Sequence, residues 1–556
     1  MRLIQLMSVR YTLLFASLFF VLSYIFPVFY QYSPSFFHEL LAFLVVVFIF
    51  LALSVLRPFW FCGRLTICVL FVSVIPLLHL TLGVSYFVGD AILVSLYFFA
   101  SACAVACGNN ILLNGLREKA LLMFAVLFVL IGLINVFFAI NQYFNVALID
   151  GFLLNTSGRP FGNIGQSNNF SGVLIISFLC GWYLFEKAVV SRKLYYVWVF
   201  YISIGLVLAQ SRTTVMVCLC LIVFYRLFYR KIIFRSTFYD LVWVTFCYAN
   251  LYVLLPLVKQ VLGGGGGSLR ELVIYDSGRL SIWYESIQAI INGPLLGYGW
   301  NQIGVAQVLV ESNLSSAIHF RHAHNVLLDL LLYNGPVLGT ILITALIVFA
   351  WRAFTYCRTL EGWVVLAIIG AVLTHAMVEF PLHYAYFILP VAFLMGLVDS
   401  PAVENGTSVF RFSYPSWLNF PVMVVGGVLL AIIWREATII NKEHFKLGIE
   451  LTGVFKRQLA SEKTNDIVLL THRREYLNFG RATPVEGMSG EDIEWMKKVS
   501  HRFPSPYYLS KYAKACQLNG QYDEAGRMLK VIKRLFDEEM YVSSKRFIYE
   551  GVDEGD

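Results

Sequence analysis

Residues 11–30 read YTLLFASLFFVLSYIFPVFY, and this stretch decides the class of fold. It is long enough to cross a bilayer as one helix, since a span needs about 20 apolar residues. It also exceeds the apolar core of a signal peptide, and no small-residue cleavage site follows it. We therefore interpret residues 11–30 as a retained first membrane span.

The chain repeats this pattern many times. Of its 556 residues, 58% are hydrophobic and 14% are charged, whereas a soluble domain carries about 25% charged residues. Because lipid offers the backbone no hydrogen-bond partner, each span must be a helix. We predict an all-α polytopic membrane protein of about 13 transmembrane helices. The predicted spans lie near residues 11–30, 39–56, 65–83, 86–107, 120–140, 168–186, 194–209, 213–228, 238–258, 325–350, 361–380, 384–398 and 417–434.

Charged residues become frequent after residue 434. This change of composition predicts two domains. The first is a transmembrane catalytic domain over 1–434 with a large polar loop over 259–324, and the second is a soluble helical domain over 435–556.

The soluble domain contains a repeat-like segment. Tyr508–Leu535 resembles one tetratricopeptide helical hairpin, because Leu509, Ala513 and Gly520 fit the spacing of that repeat. Ser489 predicts the start of a helix ahead of the hairpin. One repeat cannot bury its own apolar face, so neighbouring helices must help. The domain is either a docking surface for an acceptor protein or a small helical domain that packs on the membrane part.

Lys and Arg are concentrated in alternate loops, for example at Arg57 and Arg64 and again at Arg117 and Lys119. By the positive-inside rule these loops and the N-terminus are cytoplasmic, and an odd number of spans places the C-terminal domain outside. The net charge of +8 is therefore a topology signal and predicts no nucleic-acid partner. The polar segments on the outer face are Arg159–Asn169, Gln210–Thr214, 259–324 and Phe380–Tyr386.

Two histidines stand where the long loop meets a span, in Arg321–Asn325. A neutral imidazole accepts a proton near physiological pH, so His324 is a candidate general base for a hydroxyl. Asn325 either bonds a substrate or fixes the loop. The alternative is that His322 and His324 are ordinary interfacial residues. A metal site is disfavoured, because one His-x-His pair supplies too few ligands and the outer loops hold neither a Cys cluster nor HExxH.

Arg212 and Arg279 are candidates for binding phosphate. A near-membrane arginine is costly and usually marks function, and its planar fork of donors matches phosphate oxygens. Arg279 lies in Asp276–Trp283, whose periodicity predicts an interfacial helix. The alternative for either arginine is a side chain that snorkels to lipid head groups.

Amides end the Arg159–Asn169 segment at Gln166, Asn168 and Asn169. Such groups bind sugar hydroxyls, and Gly162 and Gly165 allow tight turns there. The alternative is that Ser167 or Asn168 caps the following helix.

The last outer turn places Glu379, His383, Tyr384 and Tyr386 close together in the sequence. An interfacial aromatic belt explains the tyrosines but not Glu379. The Gly263–Gly267 run is interpreted as a flexible hinge. It lacks a Walker-type ending, so no nucleotide cofactor is expected.

These motifs together resemble the O-antigen ligase and polymerase superfamily, and within it the bacterial O-linked protein oligosaccharyltransferases of the PglL or pilin-glycosylase type. RPFGNIGQSNN at 159–169 resembles the subfamily signature. Ser211–Thr213, Arg279 and His322–Asn325 resemble the pattern of the wider superfamily. The resemblance covers about residues 155–540, and the first four spans match only as generic membrane helices.

The resemblance implies roles for these residues. His324 would be the catalytic histidine, and Arg212 and Arg279 would bind pyrophosphate. Gln166 and Tyr384 would contact substrate, with Tyr386 left as an alternative to Tyr384. The predicted substrate-binding set also includes Arg159, Asn168, Asn169, His322, Asn325 and Glu379.

The resemblance also implies the fold and the reaction. The fold would be GT-C-like, and the donor would be a glycan on polyprenyl (undecaprenyl) pyrophosphate. The acceptor would be a protein such as a pilin, modified outside the bacterial inner membrane. No metal or other cofactor is implied. One displacement by an acceptor hydroxyl would invert the anomeric carbon, without a carboxylate pair of the glycosidase kind.

Three other functions remain open at this point. An O-antigen ligase or polymerase would use a sugar as acceptor, whereas the 159–169 signature and the repeat-like tail favour a protein. A transporter or flippase would place its polar residues near the bilayer midplane, whereas here they gather at one predicted face. A structural or receptor protein would leave the outer Arg, His and Gln residues unexplained.

Overall fold

A computed structural model describes residues 2–146, 152–154, 158–261, 278–310, 319–398, 412–451 and 463–550. The predicted hinge at Gly263–Gly267 and the residues Asp276 and Ser277 lie outside these ranges. The helices are α1 Arg2–Ile25, α2 Phe36–Leu56, α3 Arg64–Thr81, α4 Val88–Leu113, α5 Arg117–Phe144, α6 Ser167–Glu186, α7 Arg192–Ala209, α8 Arg212–Phe228, α9 Phe238–Val261, α10 Arg279–Ile291, α11 Ile303–Leu309, α12 Val326–Tyr356, α13 Leu360–Ala376, α14 Ala385–Val398, α15 Asn419–Leu451, α16 Thr471–Arg481, α17 Gly490–Arg502, α18 Pro506–Leu518, α19 Tyr522–Leu535 and α20 Glu538–Tyr549. Short 3-10 turns cover Pro381–His383, Ser416–Leu418 and Lys463–Asp466. Two strands, β1 Phe59–Cys62 and β2 Phe412–Pro415, pair antiparallel with Phe59 opposite Pro415.

The helices confirm the predicted all-α polytopic membrane fold. Every predicted span overlaps a helix. Within the described residues, nine helices are long and apolar enough to cross a membrane, and three shorter apolar helices accompany them. The predicted span near 213–228 coincides with α8, which has 17 residues. The orientation of these helices stays a prediction.

The chain forms two compact units. The first contains Met1–Leu70, Phe98–Tyr275 and Val348–Val428, and the second contains Phe71–Tyr97, Asp276–Ile347 and Leu429–Asp556. The predicted domain boundary after residue 434 stays a prediction.

Helix α6 is central to the first unit, because 89% of the residues in its most apolar stretch are buried. Small residues let its neighbours approach closely. A side chain at Gly132 in α5 would collide with Ser177, and one at Gly181 in α6 would collide with Trp198 of α7. The Ser177 hydroxyl donates 2.6 Å to the Phe128 carbonyl, so a polar group also joins α5 and α6. This small-residue packing is typical of membrane helices.

Helix α12 of the second unit is broken near its start. Gly335 adopts φ +73° and ψ 173°, and Pro336 follows it. Proline removes a backbone donor and cannot continue the helical bonding. The carbonyls that lose their partners accept from a neighbouring loop, since Tyr298 N donates 2.8 Å to Leu332 O and Gly299 N donates 3.1 Å to Tyr333 O. The break thus holds the 295–299 loop close to the beginning of α12.

The tail helices of the second unit include the predicted hairpin. Helices α18 and α19 form it, with Gly520 at φ +79° in the turn. Ser489 caps α17 as predicted, because its side chain accepts from the amide of Asp492. These helices share one apolar core with Phe87 and Val308, which lie outside residues 435–556.

A buried ion pair adds to this packing within the second unit. Arg502 of the tail donates twice to the Asp90 carboxylate, at 2.8 Å each. Asp90 is 1% exposed, and a bidentate arginine–carboxylate pair has well-defined geometry. The tail is therefore integrated into this unit.

Candidate active site

In the first unit, the segment before α6 is fixed by side chains from other elements. The Gln142 amide donates to the Leu154 and Gly162 carbonyls at 2.8 and 2.6 Å, and its oxygen accepts from Phe161 and Gly162 amides at 2.9 Å each. Gly162 and Gly165 have φ of +59° and +85°, so the predicted tight turns are present. A side chain at Gly162 would lie 2.5 Å from the Asn135 amide oxygen, which explains the glycine.

Arg159 connects this segment to the loop before α8. Its guanidinium donates to the Gln210 carbonyl at 3.0 Å. Gln210 has a left-handed φ of +48°, and the helix then starts at Arg212. The helix cap, Ser211, makes no side-chain hydrogen bond to the helix. Arg212 therefore lies at a helix N-terminus, which is a favourable place for an anion.

The amide residues of 166–169 are used differently from one another. The Asn168 amide donates 2.6 Å to the Glu379 carboxylate, and the Asn169 amide donates 3.1 Å to the Tyr386 hydroxyl. Among the described residues, the Gln166 side chain makes no hydrogen bond, and it is partly exposed. Of the three amides, Gln166 is thus the one best placed to bind a substrate hydroxyl.

The alternative interpretation, in which Ser167 or Asn168 caps α6, is wrong. The cap residue of α6 is Gln166, and it makes no side-chain bond to the helix. The Ser167 hydroxyl instead donates 3.1 Å to the Arg159 carbonyl. Sequence propensity favoured a local bond, whereas the fold brings tertiary partners to these side chains.

The two tyrosines of the last outer turn differ in burial. Tyr386 is 2% exposed, and its carbonyl accepts from the Tyr24 hydroxyl. Tyr384 is partly exposed, and its ring is tilted by 32° to that of Tyr386, with ring centroids 5.3 Å apart. Tyr384 is thus the more accessible of the two tyrosines, whereas the Tyr386 hydroxyl is buried and accepts from Asn169.

In the second unit, Arg279 is the first residue of α10. The cap residue Gly278 has a φ of +70° and supplies no side-chain hydrogen bond. A cation at a helix N-terminus is unfavourable next to the helix dipole unless an anion is nearby. Arg279 and Arg212 thus share one arrangement: each is a guanidinium at the first position of a helix without a side-chain cap.

His324 is held in a defined turn. Its φ is +52°, a left-handed conformation that few residues other than glycine adopt. On one side, the Ala323 amide donates 2.9 Å to the Asp329 carboxylate. On the other side, the Asn325 amide oxygen accepts from Leu327 at 3.0 Å and from Leu328 at 3.3 Å. Of the two predicted roles of Asn325, these bonds favour fixing the loop.

Asp329 is a residue that the sequence analysis missed. It is 3% exposed, and a carboxylate oxygen lies within 4.8 Å of a ring nitrogen of His322. Its signal was available, since an acidic residue in the first turn of a helix often accepts from the preceding loop. A second missed group, Glu285, Gln307 and Arg534, has no local sequence signal because its members come from three distant helices.

Known proteins match the regions that hold these residues. The family described as O-antigen ligase matches residues 197–344, which include Arg212, Arg279 and His324. The family described as the C-terminal part of a virulence-factor membrane-bound polymerase matches residues 363–546. These matches confirm the predicted resemblance to the O-antigen ligase and polymerase superfamily.

More specific relatives cover most of the chain. It is 28% identical over 502 residues to a general O-oligosaccharyltransferase of Acinetobacter baylyi, across 87% of this chain and 85% of the relative. It is 27% identical over 453 residues to a ComP-specific O-oligosaccharyltransferase of the same organism, across 80% of each chain. These relatives confirm the predicted similarity to O-oligosaccharyltransferases and the predicted class of enzyme, a glycosyltransferase.

Proposed function

We propose that the chain transfers a preassembled glycan from a polyprenyl-pyrophosphate lipid to a Ser or Thr hydroxyl of an acceptor protein. The observation that carries the proposal is the shared placement of Arg212 and Arg279. Each heads a helix without a side-chain cap, where backbone amides and a guanidinium favour a phosphate group. The similarity to O-oligosaccharyltransferases supports a glycan as the transferred group.

His324 is assigned to the acceptor hydroxyl. The imidazole accepts the hydroxyl proton while the oxygen attacks the anomeric carbon. The bond between that carbon and the phosphate oxygen breaks, and polyprenyl pyrophosphate leaves with the bonding electron pair. Asp329 and Asn325 support this role because they hold the backbone on both sides of His324, and a fixed base lowers the entropic cost of proton transfer.

The arginines are assigned to the leaving group. Positive groups placed where negative charge develops stabilise the transition state most when they need no rearrangement. Gln166 and Tyr384 are assigned to the glycan, since both are partly exposed and offer neutral donors. A single displacement inverts the anomeric carbon, and the proposal requires no metal.

The proposal places the reaction at the outer face of the bacterial inner membrane. Charge alternation supports this orientation. The orientation is tested by reporter fusions after Arg230 and after Arg457. Arg457 lies outside the described residues. The first fusion is expected to be cytoplasmic and the second periplasmic, and a cytoplasmic signal after Arg457 would contradict the orientation.

The activity is tested with purified protein in detergent. A polyprenyl-pyrophosphate glycan is supplied with a Ser-containing acceptor protein, and the intact mass of the acceptor is measured. We expect a gain of one glycan mass that persists in EDTA, with an inverted anomeric linkage by NMR. Transfer only to a sugar acceptor would favour a ligase or polymerase. Donor movement in liposomes without any transfer would favour a transporter.

A further inference from the structure

One arginine of the tail caps a helix near the candidate base. Arg534 in α19 donates from Nη1 to the Val310 carbonyl and from Nη2 to the Gln307 carbonyl. Both carbonyls belong to the C-terminal turn of α11, where helices leave acceptors unsatisfied. A cation there is also favoured by the helix dipole. Arg534 therefore fixes the backbone of Gln307.

The Gln307 side chain then links two other elements. It is 2% exposed. Its oxygen accepts from the Phe320 amide at 3.1 Å, and His319 Nδ1 lies 3.1 Å from the same oxygen. Its amide donates to the Glu285 carboxylate at 3.3 Å. Glu285 lies in α10, which starts at Arg279, and Phe320 lies four residues before His324.

The link includes two titratable side chains whose pKa values are shifted by burial. Glu285 is 2% exposed, and burial raises its pKa, opposed by the bond from Gln307 and the charge of Arg534. Burial, followed by the charge of Arg321, lowers the pKa of His319. The His319 ring also lies 5.7 Å from Phe536, a second contact from the tail. Partly satisfied buried networks are sensitive to the loss of one member.

We propose that Arg534 is a positioning residue: through Gln307 it sets the placement of Arg279 relative to His324. The inference rests on the proposed function, which assigns those two residues to the reaction. The tail would then have a role in addition to acceptor docking and simple packing. Loss of the Arg534 side chain would disturb the site although Arg534 does not contact substrate.

Arg527 provides a matched control. It lies on the same helix and donates twice to Glu524, at 2.7 and 2.8 Å, with no bond to Gln307 among the described residues. We expect Arg534→Gln to lower kcat for transfer about 10-fold, because small misplacements of reacting groups have large rate effects. Acceptor KM should stay within about twofold, since no substrate contact is lost. Arg527→Gln should leave both unchanged, and Arg534→Lys should recover part of the rate.

Amide hydrogen exchange gives a readout that needs no activity. Arg534→Gln should speed exchange of the 319–325 segment at least about 10-fold, while exchange in the rest of the second unit and Tm stay near wild type. Equal kcat and equal exchange in the Arg534→Gln and Arg527→Gln variants would overturn the inference. Faster exchange throughout the unit with a lower Tm would also overturn it, in favour of a merely structural role. If the wild type transfers no glycan, the proposed function fails, and the exchange result still decides the positioning.

Discussion

Segments 158–169 and 319–329 both lead into a helix, yet they are held in different ways. The first is fixed from outside by Gln142, which makes four hydrogen bonds to it and its neighbourhood. The second is fixed from outside by Gln307, which accepts from the Phe320 amide, and from the start of its own helix by Asn325 and Asp329. In the first segment, the side chains of Asn168 and Asn169 are themselves bonded to other side chains. In the second, the bonds hold backbone amides near His324, and the His324 ring is partly exposed.

The difference indicates which polar residues are suited to chemistry. Asn168 and Asn169 are bonded to Glu379 and Tyr386, so changing either amide disturbs the fold around it. His324 has a strained backbone that the surrounding bonds maintain, and strain of this kind is concentrated at functional sites. Variants of Asn168 or Asn169 should therefore lose stability, whereas variants of His324 should lose rate.

The largest expected effect is at His324. His324→Ala should lower transfer by at least about 100-fold, because general-base catalysis contributes about 100- to 10,000-fold. The protein should remain folded and inserted, since the bonds that hold the turn come from Asp329 and Asn325. His322→Ala, two residues away, is the control and should lose less. Near-normal turnover in the His324→Ala variant, measured by acceptor mass, would contradict the assigned role.

The arginines should show the next largest effect. Lys keeps the charge but loses the paired donors, so Arg212→Lys or Arg279→Lys should lower transfer about 10-fold or more if a contact of about 1.5–3 kcal/mol is lost. Arg226→Lys is the control for Arg212, because Arg226 lies in the last turn of the same helix and is exposed. Donor binding should weaken in parallel. Full activity in both Lys variants would contradict the assignment of pyrophosphate binding to Arg212 and Arg279.

Much of the fold was accessible from the sequence because membrane helices depend on length and hydropathy. Every predicted span overlaps a helix, and the Ser489 cap and the α18–α19 hairpin are confirmed. The bond from Asn168 to Glu379 was not accessible, since the two residues lie 211 positions apart in the chain. The link from Arg534 through Gln307 to Glu285 is of the same kind. Local patterns predict local caps, whereas long-range polar pairs appear only once the helices are assembled.

A pH change should act on the unit that holds the 319–329 segment. His501 is fully buried there, and burial lowers its pKa to about 3. Its unfolded pKa is about 6.5, so the unfolded state alone binds a proton between these values. The contribution of His501 to the free energy of unfolding is therefore present above pH 6.5. It falls by about 2 kcal/mol between pH 7 and pH 5.

Substitution of His501 isolates this contribution. His501→Leu should reduce the drop in Tm between pH 7 and pH 5, because it removes the buried titrating group. Val499→Ala, also in α17 and fully buried, should lower Tm to a similar degree at both pH values. An equal pH dependence in wild type and the His501→Leu variant would exclude His501 as its source.

The smallest effect decides between the two tyrosines of the last outer turn. Tyr386→Phe loses the hydrogen bond from Asn169 in a buried place, so stability should fall by about 1 kcal/mol while transfer by the folded protein is retained. Tyr384→Phe loses a hydroxyl at a partly exposed position, so Tm should change little. Its transfer rate should fall about fivefold, the equivalent of one hydrogen bond of about 1 kcal/mol. Tm and acceptor mass are measured for both variants, so that a loss of stability is distinguished from a loss of transfer rate. The reverse result, with a rate loss at Tyr386 and a Tm loss at Tyr384, would show that this turn differs from the 319–329 segment, because its buried member would then take part in the reaction.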